Sequence, residues 1–115
     1  MPCVTPEIIG DHTAIAHLQG EIDVHLLPEA EAVIKPLVEN PALTTLVLDA
    51  RALTFIDSKM VGYIAYLRTT TAKSGRHLCL VGVNETVNDI LSLVGLMQVI
   101  PHFATLDEAL KTPAA

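Results

Sequence analysis

The chain has 115 residues, half of them apolar, which is enough for one domain around one core. Two Tyr, two Phe and no Trp make that core aliphatic. Seven basic residues face thirteen acidic ones for a formal net charge of −6, and the scattered Arg51, Lys59, Arg68, Lys73 and Arg76 form no basic stripe. This argues against a nucleic-acid binder and against adhesion to an anionic membrane surface.

Residues 4–9 carry Pro6, which confines them to a sheet edge or an arm. Gly10-Asp11 is a turn, and Thr13 to Leu18 alternates as a strand that can extend to Ile22. From Pro28 to Asn40 the apolar residues Ala30, Val33, Ile34, Leu37 and Val38 recur with helical spacing. Pro28 suits the first turn, whereas Pro36 predicts a bend near Ala32. Thr44 to Asp49 is a short buried strand. Arg51 to Asp57 is then expected to be a loop packed down by Leu53, Phe55 and Ile56.

Ser58 opens a second helix, capped by Asp57 or Ser58, whose apolar face is Val61, Ile64, Ala65, Leu67 and Ala72. Ser74-Gly75 closes it. His77 to Val81 is a strand and Asn84 to Val94 a helix, with Gly95 as its C′ residue. Val99-Ile100 is expected to be a short strand. Thr105 to Leu110 is a final helix, with Thr105 and Glu108 in capping-box spacing, and Thr112 to Ala115 a frayed tail. The order β-β-α-β-α-β-α-β-α predicts a single α/β domain over 1–115, its mixed sheet having parallel neighbours joined by right-handed crossovers.

Most enzyme readings fail on inventory. There is no GxSxG, P-loop or GxGxxG sequence, and the histidines at 12, 17, 25, 77 and 102 never share a helix face at i, i+4. No metal site and no cofactor is expected. Cys3 and Cys79 have no metal-binding spacing, and Cys79 lies in an apolar run as a small buried hydrophobe. The acidic pair and late lysine of a phosphate-receiver domain are missing. Met1-Pro2-Cys3-Val4 lacks the pattern of a signal peptide, and no apolar run approaches the ~18 residues of a membrane helix, so a cytoplasmic location is expected.

One segment remains, Phe55-Ile56-Asp57-Ser58-Lys59-Met60-Val61-Gly62, which delivers a hydroxyl to the first turn of a helix. Taken alone, it reads first as an ordinary helix cap. A phosphate on Ser58 would add about −1.5 to −2 charge where the helix dipole and free N–H groups favour it. Modification there would change the surface without unfolding the domain.

Leu18-Gln19-Gly20-Glu21-Ile22-Asp23 resembles the L-x-G-x-h-D segment of STAS domains, h being apolar. Leu46-Val47-Leu48-Asp49 followed by Phe55-Ile56-Asp57-Ser58 is similar to the family's signature strand and loop. Gly75 to Val83 and Val94-Gly95-Leu96 match its later strand and helix end. The resemblance covers roughly residues 10–110 and implies an anti-sigma factor antagonist. Such a module is not an enzyme. It binds an anti-sigma factor of serine-kinase type, is released by phosphorylation at Ser58, and is restored by a serine phosphatase. Asp23, Asp57, Ser58, Lys59 and Met60 are the implied partner-binding residues. Lys59-Met60 replaces the small pair common in the family, and Lys59 can partly neutralise a phosphate on Ser58. The alternative role for the same fold is a STAS subunit of a transporter or stress-signalling complex.

Overall fold

The computed structural model describes residues 2–111, so the expected frayed tail at Thr112 to Ala115 lies outside the described residues. Strand β1 (Val4–Ile9) turns at Gly10, whose φ of +61° favours glycine, into β2 (Thr13–Ile22). There follow α1 (Leu27–Glu39), β3 (Thr45–Ile56), α2 (Ser58–Lys73), β4 (His77–Val81), α3 (Glu85–Leu93), the short α4 (Leu96–Val99), β5 (His102–Phe103) and α5 (Leu106–Lys111). The five strands lie in chain order in one sheet. β1 pairs antiparallel with β2, and every later neighbour is parallel.

Strands that step sideways in order through right-handed crossovers place the crossover helices on one face. The burial pattern agrees. Ala14, Ala16 and Leu18 of β2 join Leu46, Leu48 and Ala50 of β3 in one core with Ala30 and Ile34 of α1, Ile64 and Leu67 of α2, and Leu91 of α3. The opposite face carries a second cluster, Ile15, Val47, Cys79 and Val81, which α5 covers through Ala109. Both clusters are aliphatic, as the composition required. At the edge, Gln19 N–H donates to the Cys3 carbonyl at 2.9 Å. Counting from that bond, the position of Pro6 points its backbone nitrogen off the sheet, where no ladder bond is lost.

Four expectations are corrected: the loop at Arg51 to Asp57, the inward Phe55, the Val99-Ile100 strand and the place of Ala72 on the apolar face of α2. Arg51 to Ile56 is not a loop but the continuation of β3. The register moves from His17 opposite Asp49 to Gln19 opposite Ala52, and from Gly20 opposite Leu53 to Glu21 opposite Phe55, so β3 gains one residue at each step. Those bulges convert the buried spacing from two to three, at Ala50, Leu53 and Ile56. The broken alternation therefore looked like a loop. Leu53 and Ile56 are buried as expected, but Phe55 is exposed.

The fifth strand is His102–Phe103 rather than Val99-Ile100. Gly95, at φ +78°, starts α4 instead, and Leu96 and Ile100 turn into the core, overriding the β-propensity of two adjacent branched residues. On α2 the fully buried positions are Met60, Ile64, Leu67 and Thr71, with Val61 and Ala65 half-buried and Ala72 exposed. Thr71 is tolerated inside because its hydroxyl donates to the Leu67 carbonyl at 2.8 Å. Helix α1 runs unbroken through Pro36, which lies on its exposed side.

Candidate functional site

Ile22 and Ile56 are opposite one another in the parallel pair β2–β3, and both are fully buried. The chain therefore leaves two adjacent strands side by side, with Asp23 on one exit and Asp57 on the other. The carboxyl ends of parallel strands are where open α/β sheets usually carry their sites.

Asp57 has extended backbone, with φ −97° and ψ −178°, and is the N-cap of α2. Its Oδ1 accepts from Met60 N–H at 3.0 Å, and its Oδ2 accepts from Val24 N–H at 2.8 Å. One carboxylate thus starts a helix and pins the neighbouring β2–α1 loop to it. The Met60 amide, followed by those of Val24 and Lys59, holds the Asp57 carboxyl below its ordinary range. Asp23 organises its own loop: Oδ1 accepts from His25 N–H at 3.0 Å and Leu26 N–H at 3.2 Å, and its carbonyl accepts from Leu27 N–H at 2.9 Å.

The cap left open between Asp57 and Ser58 therefore belongs to Asp57. Ser58 occupies the first helical position, exposed, with its hydroxyl outside the capping bonds. Lys59 is also exposed and makes no ion pair among the described residues. Met60 is different. The expectation that it contributes to a partner-contact surface is corrected, because its side chain is fully buried in the core beneath α2. Helical geometry turns position 60 inward together with positions 64, 67 and 71 while 58 and 59 face out.

The structure brings Asp23, Asp57, Ser58 and Lys59 to one edge and adds a rim that the residue pattern had not disclosed. Val24, Leu26 and Phe55 are exposed apolar side chains on the same two segments. Of the three, only Phe55 carried an expectation, and that was to pack inward; Val24 and Leu26 stand as large apolar residues in the short β2–α1 connection. A separate groove of about 460 Å³ lies between α1 and α2, lined by Glu31, Lys35, Tyr63, Tyr66 and Arg76 among others. Its lining contains none of Asp23, Asp57 and Ser58. Among the described residues no His, Cys, Asp and Glu group of three or more could hold a metal ion, and no helix is long and apolar enough to cross a membrane.

A family model described as STAS domain matches residues 5–109. The anti-sigma F factor antagonist of Lysinibacillus sphaericus is 28% identical over 91 residues, 78% of this chain and 77% of that protein. The anti-sigma factor antagonist SpoIIAA in its unphosphorylated form superposes with a TM-score of 0.81 at 25% identity, over 93% of this chain and 92% of that one. The phosphorylated form of the Bacillus protein SpoIIAA gives 0.75 at 24% identity, over 93% and 96%, and shows the fold alone. SLC26A9 also shares only the fold, with a TM-score of 0.75 at 17% identity over 87% of this chain and 19% of that much longer one.

Proposed function

Because the chain belongs to the STAS domain family, we propose that it is an anti-sigma factor antagonist, a cytoplasmic binding module switched by phosphorylation of Ser58. The partner is an anti-sigma factor of serine-kinase type, which docks on the edge formed by Asp23, Asp57, Ser58 and Lys59 and the apolar rim of Val24, Leu26 and Phe55. Phosphorylation releases it, and a serine phosphatase restores binding. The module binds rather than catalyses.

The observation that carries this reading is the division of labour at α2. Asp57 caps the helix, so the exposed Ser58 hydroxyl has no structural duty there. A phosphate at that position lies beside the positive end of a sixteen-residue helix and is accommodated without unfolding it. It also places about two negative charges on an edge that already holds Asp23 and Asp57. That like-charge change acts on a partner surface without moving the fold.

The test is in vitro phosphorylation by the cognate kinase with site mapping, followed by titration of the partner against wild type, Ser58→Ala and Ser58→Asp. Phosphate on Ser58, constitutive binding by Ser58→Ala and weak binding by Ser58→Asp are expected. Phosphate on Thr54 or Thr69 with Ser58 bare, or equal binding by both variants, refutes the switch.

A further inference from the structure

The face of the sheet opposite the crossover helices carries a polar chain that takes no part in the candidate site. In the β1–β2 register Glu7 pairs with Ile15, two residues before His17, so Glu7 and His17 share a face. In the β2–β3 register His17 lies opposite Asp49. The His17 Nε2 is 2.7 Å from Glu7 Oε1, and its Nδ1 is 2.6 Å from Asp49 Oδ2. Arg51 completes the chain, with its Nε 2.9 Å from Asp49 Oδ1 and its Nη2 2.9 Å from Asp49 Oδ2.

An ionised carboxylate only accepts hydrogen bonds, and a neutral imidazole has one N–H to donate. Two carboxylates on one ring at these distances require both nitrogens to carry protons. The two ends of the bridge are unequal. Asp49 is buried and secured by Arg51 whatever the state of the ring, whereas Glu7 stands on the exposed edge strand. We propose that His17 is a proton-dependent clamp on β1: as imidazolium it ties Glu7 to Asp49, and as neutral imidazole it keeps Asp49 and releases Glu7. On deprotonation the proton on Nε2 passes to solvent. The remaining N–H stays on Nδ1, toward the buried partner, where the bond is stronger. The Nε2 lone pair then faces the Glu7 carboxylate and repels it.

The groups on the ring are Glu7 from β1 and Asp49 from β3, with Arg51 held by Asp49; the same sheet face carries the Cys79 cluster, which α5 covers. Burial holds the Cys79 thiol up at about 11, so it stays neutral. Helix α5 packs on this face through Leu106 and Ala109, with Asp107, Glu108 and Lys111 exposed. Burial, the largest single influence on His17, pushes it down, but the Glu7 and Asp49 hydrogen bonds and charges outweigh it and raise it above 6.5. A raised imidazole stabilises the fold fully below its unfolded value and loses that contribution as pH rises through the folded value. The strand responds unevenly. Cys3 and Val4 are buried, and Cys3 N–H donates to Glu29 Oε2 on α1 at 2.7 Å, whereas Thr5 to Ile9 are exposed. The half of β1 nearest the Gly10 turn loosens while the Cys3 end stays docked.

The experiment is an NMR titration of the full chain between about pH 5 and 9, with His17 assigned by its loss in His17→Gln. Exchange protection of the Thr5, Glu7 and Ile9 amides, corrected for intrinsic rates, is followed in parallel. His17 should titrate above the ordinary imidazole value. Protection of these amides should fall as it deprotonates, by up to about tenfold for each unit of the raise. Glu7→Gln, at an exposed position, should lower the His17 titration and flatten the protection profile even if His17→Gln folds poorly. A His17 that titrates at or below the ordinary value overturns the clamp. So does a protection profile identical in wild type and Glu7→Gln.

Discussion

Replacing Met60 by alanine separates a core residue from a partner contact within the first turn of α2. The side chain has no exposure and lies in the main cluster with Ile56, Ile64 and Leu67. Removing its three terminal heavy atoms forfeits their transfer free energy and leaves a cavity that rigid neighbours fill only in part, a loss of about 2–5 kcal/mol. Taking about 3 kcal/mol as central, roughly a fifth to three-fifths of a typical domain's stability would go. For a chain of this length the melting temperature would fall by roughly 10–20 °C. Met60→Leu, which nearly conserves volume, should cost less than about 1.5 kcal/mol, and Lys59→Ala next to it should leave the melting temperature unchanged. Urea and thermal unfolding of the three variants, alongside partner titration below the melting temperature of each, provide the measurement. If Met60→Ala unfolds like wild type yet loses the partner, the side chain works at the surface and the burial reasoning fails.

Three further outcomes follow from the same geometry. Ser58→Ala should change stability by no more than about 0.5 kcal/mol, as at other exposed positions, because Asp57 holds the cap; a drop the size of a lost N-cap in urea unfolding would return the cap to Ser58. Asp57→Ala should accelerate amide exchange at both Met60 and Val24, since one carboxylate serves both. Because the Asp57 carboxyl is depressed, its wild-type contribution is complete above the ordinary value of 3.8 and is lost as pH falls through the depressed value. Exchange measured against pH should therefore show wild type approaching the variant only in acid. Gly82→Ala places a Cβ 2.3 Å from Arg51 Cγ and 3.2 Å from Arg51 Cα at a φ of +68°. The left-handed backbone alone should cost about 1–2 kcal/mol, and Arg51 must shift off Asp49 as well. A loss of only about 1–2 kcal/mol would show that Arg51 moves freely, and thermal unfolding equal to wild type would refute the backbone cost as well.

The helix-period runs at residues 30–38 and 87–91 and the alternation at 13–18 were legible because each repeats one spacing long enough to define a buried face, whereas Val94, expected on the same face, is exposed. The Asp-Ser pair at 57 and 58 was legible as a helix start for a local reason, since capping involves atoms three residues apart. The extension of β3 to Ile56 was not legible, because its bulges exist only relative to β2 and break the period within the strand itself. Nor could the sequence decide which of two adjacent residues caps α2, or that Met60 turns inward while Phe55 turns out. Those are facts of rotation about an axis whose position is set by packing. The His17 bridge shows the same division most clearly. Its three members at 7, 17 and 49 are far apart in sequence and meet only because two registers, one antiparallel and one parallel, lay three strands side by side. Local chemistry fixed where the chain turns, caps and alternates. Non-local pairing, whose register depends on the whole sheet, decided which side chains share a face and come within hydrogen-bond distance.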